Sequence, residues 1–247
     1  MTSILLFIVA FAGGALNSVA GGGSFLTFPT LLYAGVTPVV ANATSALAMW
    51  PGSVSSAVAY RRELAWGPRM VVLNAASLVG GLAGAILLVR TSDTSFMRLL
   101  PWLMLLAAAT FTFGGRLSPV QPSSAESSAR TLWVLAGLQF VISIYGGYFG
   151  GGMGIMMLAM FAIAGMTDIH EMNGLKAVLG TTINGIAIVI FIIDRQIAWA
   201  PGLLMVVGSI IGGYVGAATA RRVDRRAIRA LVAAIGWTMT VYFFVKR

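Results

Sequence analysis

Two glycine runs mark where this chain could hold an anion at membrane depth. In the second half, Ile144-Tyr145-Gly146-Gly147-Tyr148-Phe149-Gly150-Gly151-Gly152-Met153-Gly154 sets six glycines within nine residues of a long apolar tract. In the first half, Gly13 and Gly14 are followed by Gly21-Gly22-Gly23-Ser24. Each glycine weakens a helix by about 1 kcal/mol relative to alanine, so runs this dense break one. A helix that restarts after a break presents unpaired N–H groups and the positive end of its dipole, which suits an anion. The chemistry expected is therefore binding, not bond-making.

The substrate-binding candidates are Gly21, Gly22, Gly23, Ser24, Thr44, Ser45, Gly150, Gly151, Gly152, Gly154, Lys176, Thr181, Thr182 and Asn184. Lys176 lies one turn inside an apolar helix, where a charge costs at least about 2.5 kcal/mol and marks a functional position. It could neutralise an anion. The hydroxyl and amide groups could donate to substrate oxygens, and Asn17, Asn42 and Asn173 have the same capacity. Each feature also has a plain structural reading. Glycines let membrane helices pack closely, polar side chains bond across helices, and lysine snorkels to the interface. Gly80/Gly84 and Gly208/Gly212/Gly216, spaced by four, read better as packing.

Asp168, His170 and Glu171 form a second candidate group, for proton coupling, since histidine titrates near neutral pH. The competing reading is a solvated helix start capped by Asp168 or Thr167. Metal binding is not expected, because His170 is the only histidine and acidic residues are few. There is no cysteine, so thiolate chemistry and disulfides are excluded. No nucleophile–base constellation stands out. The glycine runs lack the Lys-Ser/Thr ending of a phosphate-binding loop. No catalytic residue, cofactor or enzymatic activity is expected.

The elements that must position these residues are helices in lipid. Of the 247 residues, 58% are hydrophobic and 9% charged, where a soluble domain carries roughly 25% charged. The net charge of +9 fits basic loops retained on the cytoplasmic side. Nucleic-acid binding is not expected, because no basic run interleaved with aromatics occurs outside the loops. The apolar N-terminal stretch lacks a basic region and does not read as a cleavable signal peptide.

No Asp, Glu, Lys or Arg occurs before Arg61. A crossing needs about 20 apolar residues, so three segments are expected there: Ser3–Ala20, a short Ser24–Ala34 piece that Pro29 would kink, and Pro38–Tyr60. Further spans are expected at Met70–Val89, Leu99–Gly115, Thr131–Thr167 (with the glycine run inside it), Ala177–Ile193, Trp199–Ala220 and Ala230–Val245. The Ser/Pro-rich stretch 116–130 reads as a linker between a first membrane repeat, 1–115, and a second, 131–247.

The repeat is legible at an offset near 130 residues. Gly21-Gly22-Gly23 matches Gly150-Gly151-Gly152, Asn42 falls near Asn173, and Ser53 near Asn184. Ala65-Trp66-Gly67-Pro68 matches Ala198-Trp199-Ala200-Pro201, and Gly81 and Gly84 match Gly213 and Gly216. If each glycine run only bends a helix, the chain makes eight spans in two parallel four-helix repeats. The basic residues then divide eight against eight. If the chain reverses at each run, each repeat has about five segments and the repeats are inverted. Arg61, Arg62, Arg69, Arg116, Arg130, Lys176 and the five arginines of Arg221–Arg229 then share one side, eleven against five. That asymmetry favours the inverted arrangement, with both termini outside the cytoplasm.

The stretch Gly-Gly-Gly-Ser-Phe-Leu-Thr-Phe-Pro-Thr-Leu at 21–31, with Gly35-Val36-Thr37-Pro38 and Ala41-Asn42-Ala43-Thr44-Ser45, resembles the first-half signature of the TauE/SafE sulfite exporter family. Gly150-Gly151-Gly152-Met153-Gly154 and the Lys176–Asn184 stretch resemble its degenerate second-half echo, with Lys176–Thr182 shifted from the tighter Ala-x-x-Thr-Ser pattern. The resemblance spans nearly the whole chain. It implies an inner-membrane permease for sulfite, sulfonates or related organic anions. The expectation is a bacterial inner-membrane secondary transporter working by alternating access. The alternatives are a channel-like anion pore and a non-transport membrane assembly protein. Its expected partners are a small anionic substrate and membrane lipid, with a homodimer as an allowed assembly.

Overall fold

Charge-free tracts become helices almost without interruption. The computed structural model describes residues 2–19, 22–61, 64, 67–113, 129–219 and 225–245. Among these the chain is all-helical, with ten helices: α1 (Thr2–Val19), α2 (Ser24–Tyr33), α3 (Pro38–Ala59), α4 (Pro68–Val89), α5 (Asp93–Phe113), α6 (Ala129–Tyr148), α7 (Met153–Ile163), α8 (Ile169–Ile193), α9 (Trp199–Thr219) and α10 (Arg225–Val245). Gly21, Arg221, Arg222 and most of the 116–130 linker lie outside the described residues.

Three helices start earlier than the apolar pattern predicts. α5 begins at Asp93, not Leu99, α8 at Ile169, not Ala177, and α10 at Arg225, not Ala230. Polar residues can complete a first turn when its amides are capped. Ser92 Oγ accepts from Ser95 N at 3.2 Å, and Asp168 Oδ1 accepts from His170 N at 2.8 Å.

α4, α8, most of α6 and most of α9 are long and apolar enough to cross a membrane. α4 leaves Val71, Leu78, Val79, Ile86 and Leu87 exposed, an apolar face that suits lipid and not water. α2 and α7 have only 10 and 11 residues. At about 1.5 Å per residue each covers roughly half of a 30 Å hydrocarbon layer.

The chain turns back at the first glycine run. A Cβ on Gly13 of α1 would lie 3.2 Å from the Gly23 carbonyl oxygen and from Thr27 Cγ2 of α2. A merely bent helix would carry Thr27 about 20 Å beyond Gly13. The eight-span alternative is therefore not the one adopted here.

Directions follow from paired contacts. Gly208 of α9 meets Phe7 of α1, and Gly212 meets Phe11, so α1 and α9 run parallel. Gly202 meets Thr44, and Ser209 Oγ donates to the Ala48 carbonyl, so α3 runs the same way. Gly80 meets Phe140 and Gly84 meets Tyr148, so α4 and α6 are parallel. α8 opposes α3, because Gly174 near its start touches Tyr60 while Gly185 touches Trp50. α8 also lies beside α4, where Gly81 meets Ile183.

The strongest packing is unchanged when each helix is exchanged for its counterpart five along. α1 against α9 becomes α6 against α4, α3 against α9 becomes α8 against α4, and α3 against α8 maps on itself. Two seams of backbone contact hold this arrangement. At one, Gly14 faces the Ser209 carbonyl and Gly212 the Phe11 carbonyl; at the other, Gly84 faces the Ile144 carbonyl and Gly147 the Gly81 carbonyl. The glycines in equivalent seam positions are thus Gly80/Gly84 and Gly208/Gly212. The Gly81/Gly84 to Gly213/Gly216 match is displaced from this by about one helical turn, because the offset differs from helix to helix.

Candidate functional site

α2 and α7 restart at one depth. Met49 Sδ sits against Gly23 at the start of α2. The next residue, Trp50, donates from Nε1 to the Thr181 carbonyl of α8 at 3.1 Å. Met153, first residue of α7, places its Cε beside the neighbouring Gly180. Both first turns thus flank the α3–α8 crossing. Gly23 and Gly152, the N-cap positions, supply no side-chain cap. Gly150 and Gly152 both have φ of 79°, a left-handed conformation that other residues adopt at a cost. That geometry forms the turn from α6 into α7. The Tyr145 hydroxyl steadies it by donating to the Gly151 carbonyl at 2.6 Å.

A cavity of about 250 Å³ lies between the two restarts. Gly22 and Ser24 line it from one glycine run, and Gly150, Gly152, Met153 and Gly154 from the other. α3 contributes Asn42, Ser45, Met49, Ser53 and Ser56, with Tyr60 at its C-terminal cap; α8 contributes Asn173, Lys176, Gly180 and Asn184. The repeat register is visible in this lining, since the matched pairs Asn42/Asn173 and Ser53/Asn184 all face the same space. Lys176 is the cation of the lining, and among the described lining residues there is no carboxylate. Its Nζ donates to Asn173 Oδ1 at 2.8 Å, and its stem passes Gly154, whose added Cβ would lie 3.1 Å from Lys176 Cδ. Its partner is a neutral amide, with no anionic group among the described lining residues, an arrangement that suits an anion.

The structure brings together Gly22, Ser24, Ser45, Gly150, Gly152, Gly154, Lys176 and Asn184 from the sequence-based candidates. Gly23, Thr44, Gly151, Thr181 and Thr182 are not on the cavity lining. Gly23 is buried against α1, and Gly151 against the Phe149 ring. Thr44 Oγ1 accepts from Ala198 N at 3.0 Å and ties α3 to the start of α9. Thr182 donates to Asn74 Oδ1 of α4 at 2.6 Å, while Thr181 offers its carbonyl to Trp50. Thr44 and Thr182 make interhelical side-chain bonds of the kind membrane helices use for cohesion, whereas the Thr181 hydroxyl is buried with no hydrogen-bond partner. Gly21 lies outside the described residues. Ser56, Tyr60, Met49 and Phe149 line the cavity without having been singled out. Their signal was position on α3 one or two turns from Asn42 and Ser53, and, for Phe149, adjacency to Gly150.

Asp168, His170 and Glu171 are not on the cavity lining. Asp168 caps α8, with Oδ1 also 3.4 Å from Glu171 N, and His170 is exposed. Asp168→Ala is expected to destabilise the protein by about 1 kcal/mol, the usual loss of an N-cap, without changing flux. Differential scanning fluorimetry beside a flux assay checks this; lost flux at an unchanged melting temperature would restore a coupling role.

The TauE/SafE sulfite exporter family model matches residues 6–243. A probable membrane transporter protein of Haemophilus influenzae is 29% identical over 240 residues, covering 96% of this chain and 92% of its own. The probable membrane transporter protein YfcA of Escherichia coli K12 is 27% identical over 243 residues, covering 96% and 87%. The probable membrane transporter protein ORF9 of a Sinorhizobium species is 28% identical over 243 residues, covering 96% and 90%. No solved structure matches. A helical chain with broken helices on a cationic cavity, matched by this model over nearly its whole length, belongs to the TauE/SafE sulfite exporter family.

Proposed function

We propose that this protein is a secondary transporter that carries a small anion, a sulfite, sulfonate or related organic anion, across the bacterial inner membrane by alternating access. One observation carries the reading: two helices restart at the same depth on one cavity that holds a lysine and no carboxylate among its described lining residues. Broken helices meeting at mid-depth in repeats of opposite sense are a recurring transporter plan. The anion sits between the first turns of α2 and α7, where the amides of Ser24 and Gly154 and the side chains of Lys176 and Asn184 receive its oxygens. The relatives named as probable membrane transporters and the family's name as sulfite exporters support this assignment. The arginine asymmetry puts the Arg61 end in the cytoplasm. The proton gradient or the membrane potential supplies the driving force.

The test is a thermal-shift screen of the purified protein with sulfite, thiosulfate, sulfoacetate and simple carboxylates, followed by counterflow of the stabilising anion in proteoliposomes. An anion that binds the folded state raises its melting temperature, and a carrier shows saturable exchange. Conductance without exchange would instead identify a pore, and no response to any anion would remove the site.

A further inference from the structure

Beyond the anion site, a cluster of aromatic rings adjoins one end of the cavity through Phe149. Phe28 lies one turn above the start of α2 and is in edge or tilted contact with Phe96, Phe149 and Phe243 at centroid distances of 6.1, 6.2 and 6.2 Å. Phe96 in turn meets Tyr148 at 5.8 Å. Four helices and the α6–α7 turn contribute these five rings, and none is more than 5% exposed. Their location is set by α5, whose first-turn Asp93 accepts from Val39 N at the start of α3 at 2.8 Å. The rings therefore fill the end where α3 begins. Phe149 belongs to both the ring cluster and the cavity lining.

The opposite end differs. There the lining continues past Ser53 and Ser56 to Tyr60, which is half-buried and adjoins the exposed Arg61. The half-helix on this side, α7, is packed by Met153, Met157 and Met160 where α2 has rings. Methionine reshapes readily because it is unbranched and has three rotatable bonds. Interlocked aromatic rings fill space in few arrangements.

We propose that Phe28, Phe96, Tyr148, Phe149 and Phe243 are the closed gate of the pathway, and that this structure is the state reached from the Arg61 side alone. The rings must part for an anion to leave at the far end. This rests on the transport reading for its meaning, but its test needs no substrate. The chain has no cysteine, so Ser53→Cys places a single thiol in the vestibule. A membrane-impermeant methanethiosulfonate reagent is applied to each face of oriented vesicles. With the rings intact the thiol is labelled from the Arg61 side only. In the Phe28→Ala/Phe96→Ala background sidedness is lost and label enters from both faces. If that variant does not fold, Phe28→Leu with the rest intact is read in the same way. Labelling from both faces with all rings present would overturn the gate, as would far-side protection that persists in a folded ring-deleted variant. Failure of every anion in the flux assay with sidedness preserved would count against the anion reading and leave the gate standing.

Discussion

Lys176→Ala is expected to abolish anion flux in proteoliposomes and to remove ligand-dependent stabilisation, while the unliganded protein still folds. The charge is the cavity's cation, and its amide partner Asn173 is neutral. Without it the anion would meet only dipoles. An anion present at about one hundred times its Kd stabilises the folded state by about 2.7 kcal/mol, a rise of roughly 5–10 °C for a chain of this size. That rise should disappear in Lys176→Ala and return in part in Lys176→Arg, which restores charge but brings a larger, planar head. Wild-type flux in the alanine variant would show that helix ends and amides suffice, and would remove the lysine from the site.

The second large effect concerns stability. Gly212→Leu or Gly84→Leu is expected to prevent accumulation of folded protein, or to lower its melting temperature by many degrees. A Cβ at Gly212 would collide with the Phe11 carbonyl, and one at Gly84 with the Ile144 carbonyl. Overpacking ordinarily costs about 1–3 kcal/mol. Here the cost falls at or above that range, because the obstacle is backbone, which cannot rotate away. Gly137, in α6, has nothing within 4 Å of its Cβ position. Gly137→Ala should therefore leave the fold unharmed and can add up to about 1 kcal/mol through helix propensity. Melting temperatures of the three variants in one detergent separate the seams from glycine content in general.

The helices were legible because lipid-facing chains advertise themselves as charge-free tracts, and Asp168 announced the start of α8 by its position. The glycine runs were legible as breaks, since several residues that each weaken a helix by about 1 kcal/mol stand together in them. The direction of the chain after each break was not carried by local composition. The charge asymmetry of the loops pointed to a reversal, and pairs such as Gly13 with Thr27 show it at the first run. The site was half legible for a related reason. In a membrane chain a polar residue faces inward whether it serves a cavity or a neighbouring helix, so Thr44 and Ser45 look alike in sequence. The bond from Ala198, 154 positions away, decides that Thr44 holds helices together. The repeat register carried more than residue type did: the matched asparagines and Ser53 all reach the cavity.

The two backbone seams also govern how this chain can be made. Gly14 in the first helix is closed against Ser209 in the ninth, and nearly two hundred residues must be synthesised between them. At about 5–20 residues per second, α1 stays in the bilayer for roughly 10–40 seconds before its partner exists. Its small-residue face must remain covered by lipid or by the insertion machinery for that interval. The native pairing is thus a late event in biogenesis, and truncation anywhere before α9 should leave an inserted but unassembled chain exposed to quality-control proteolysis.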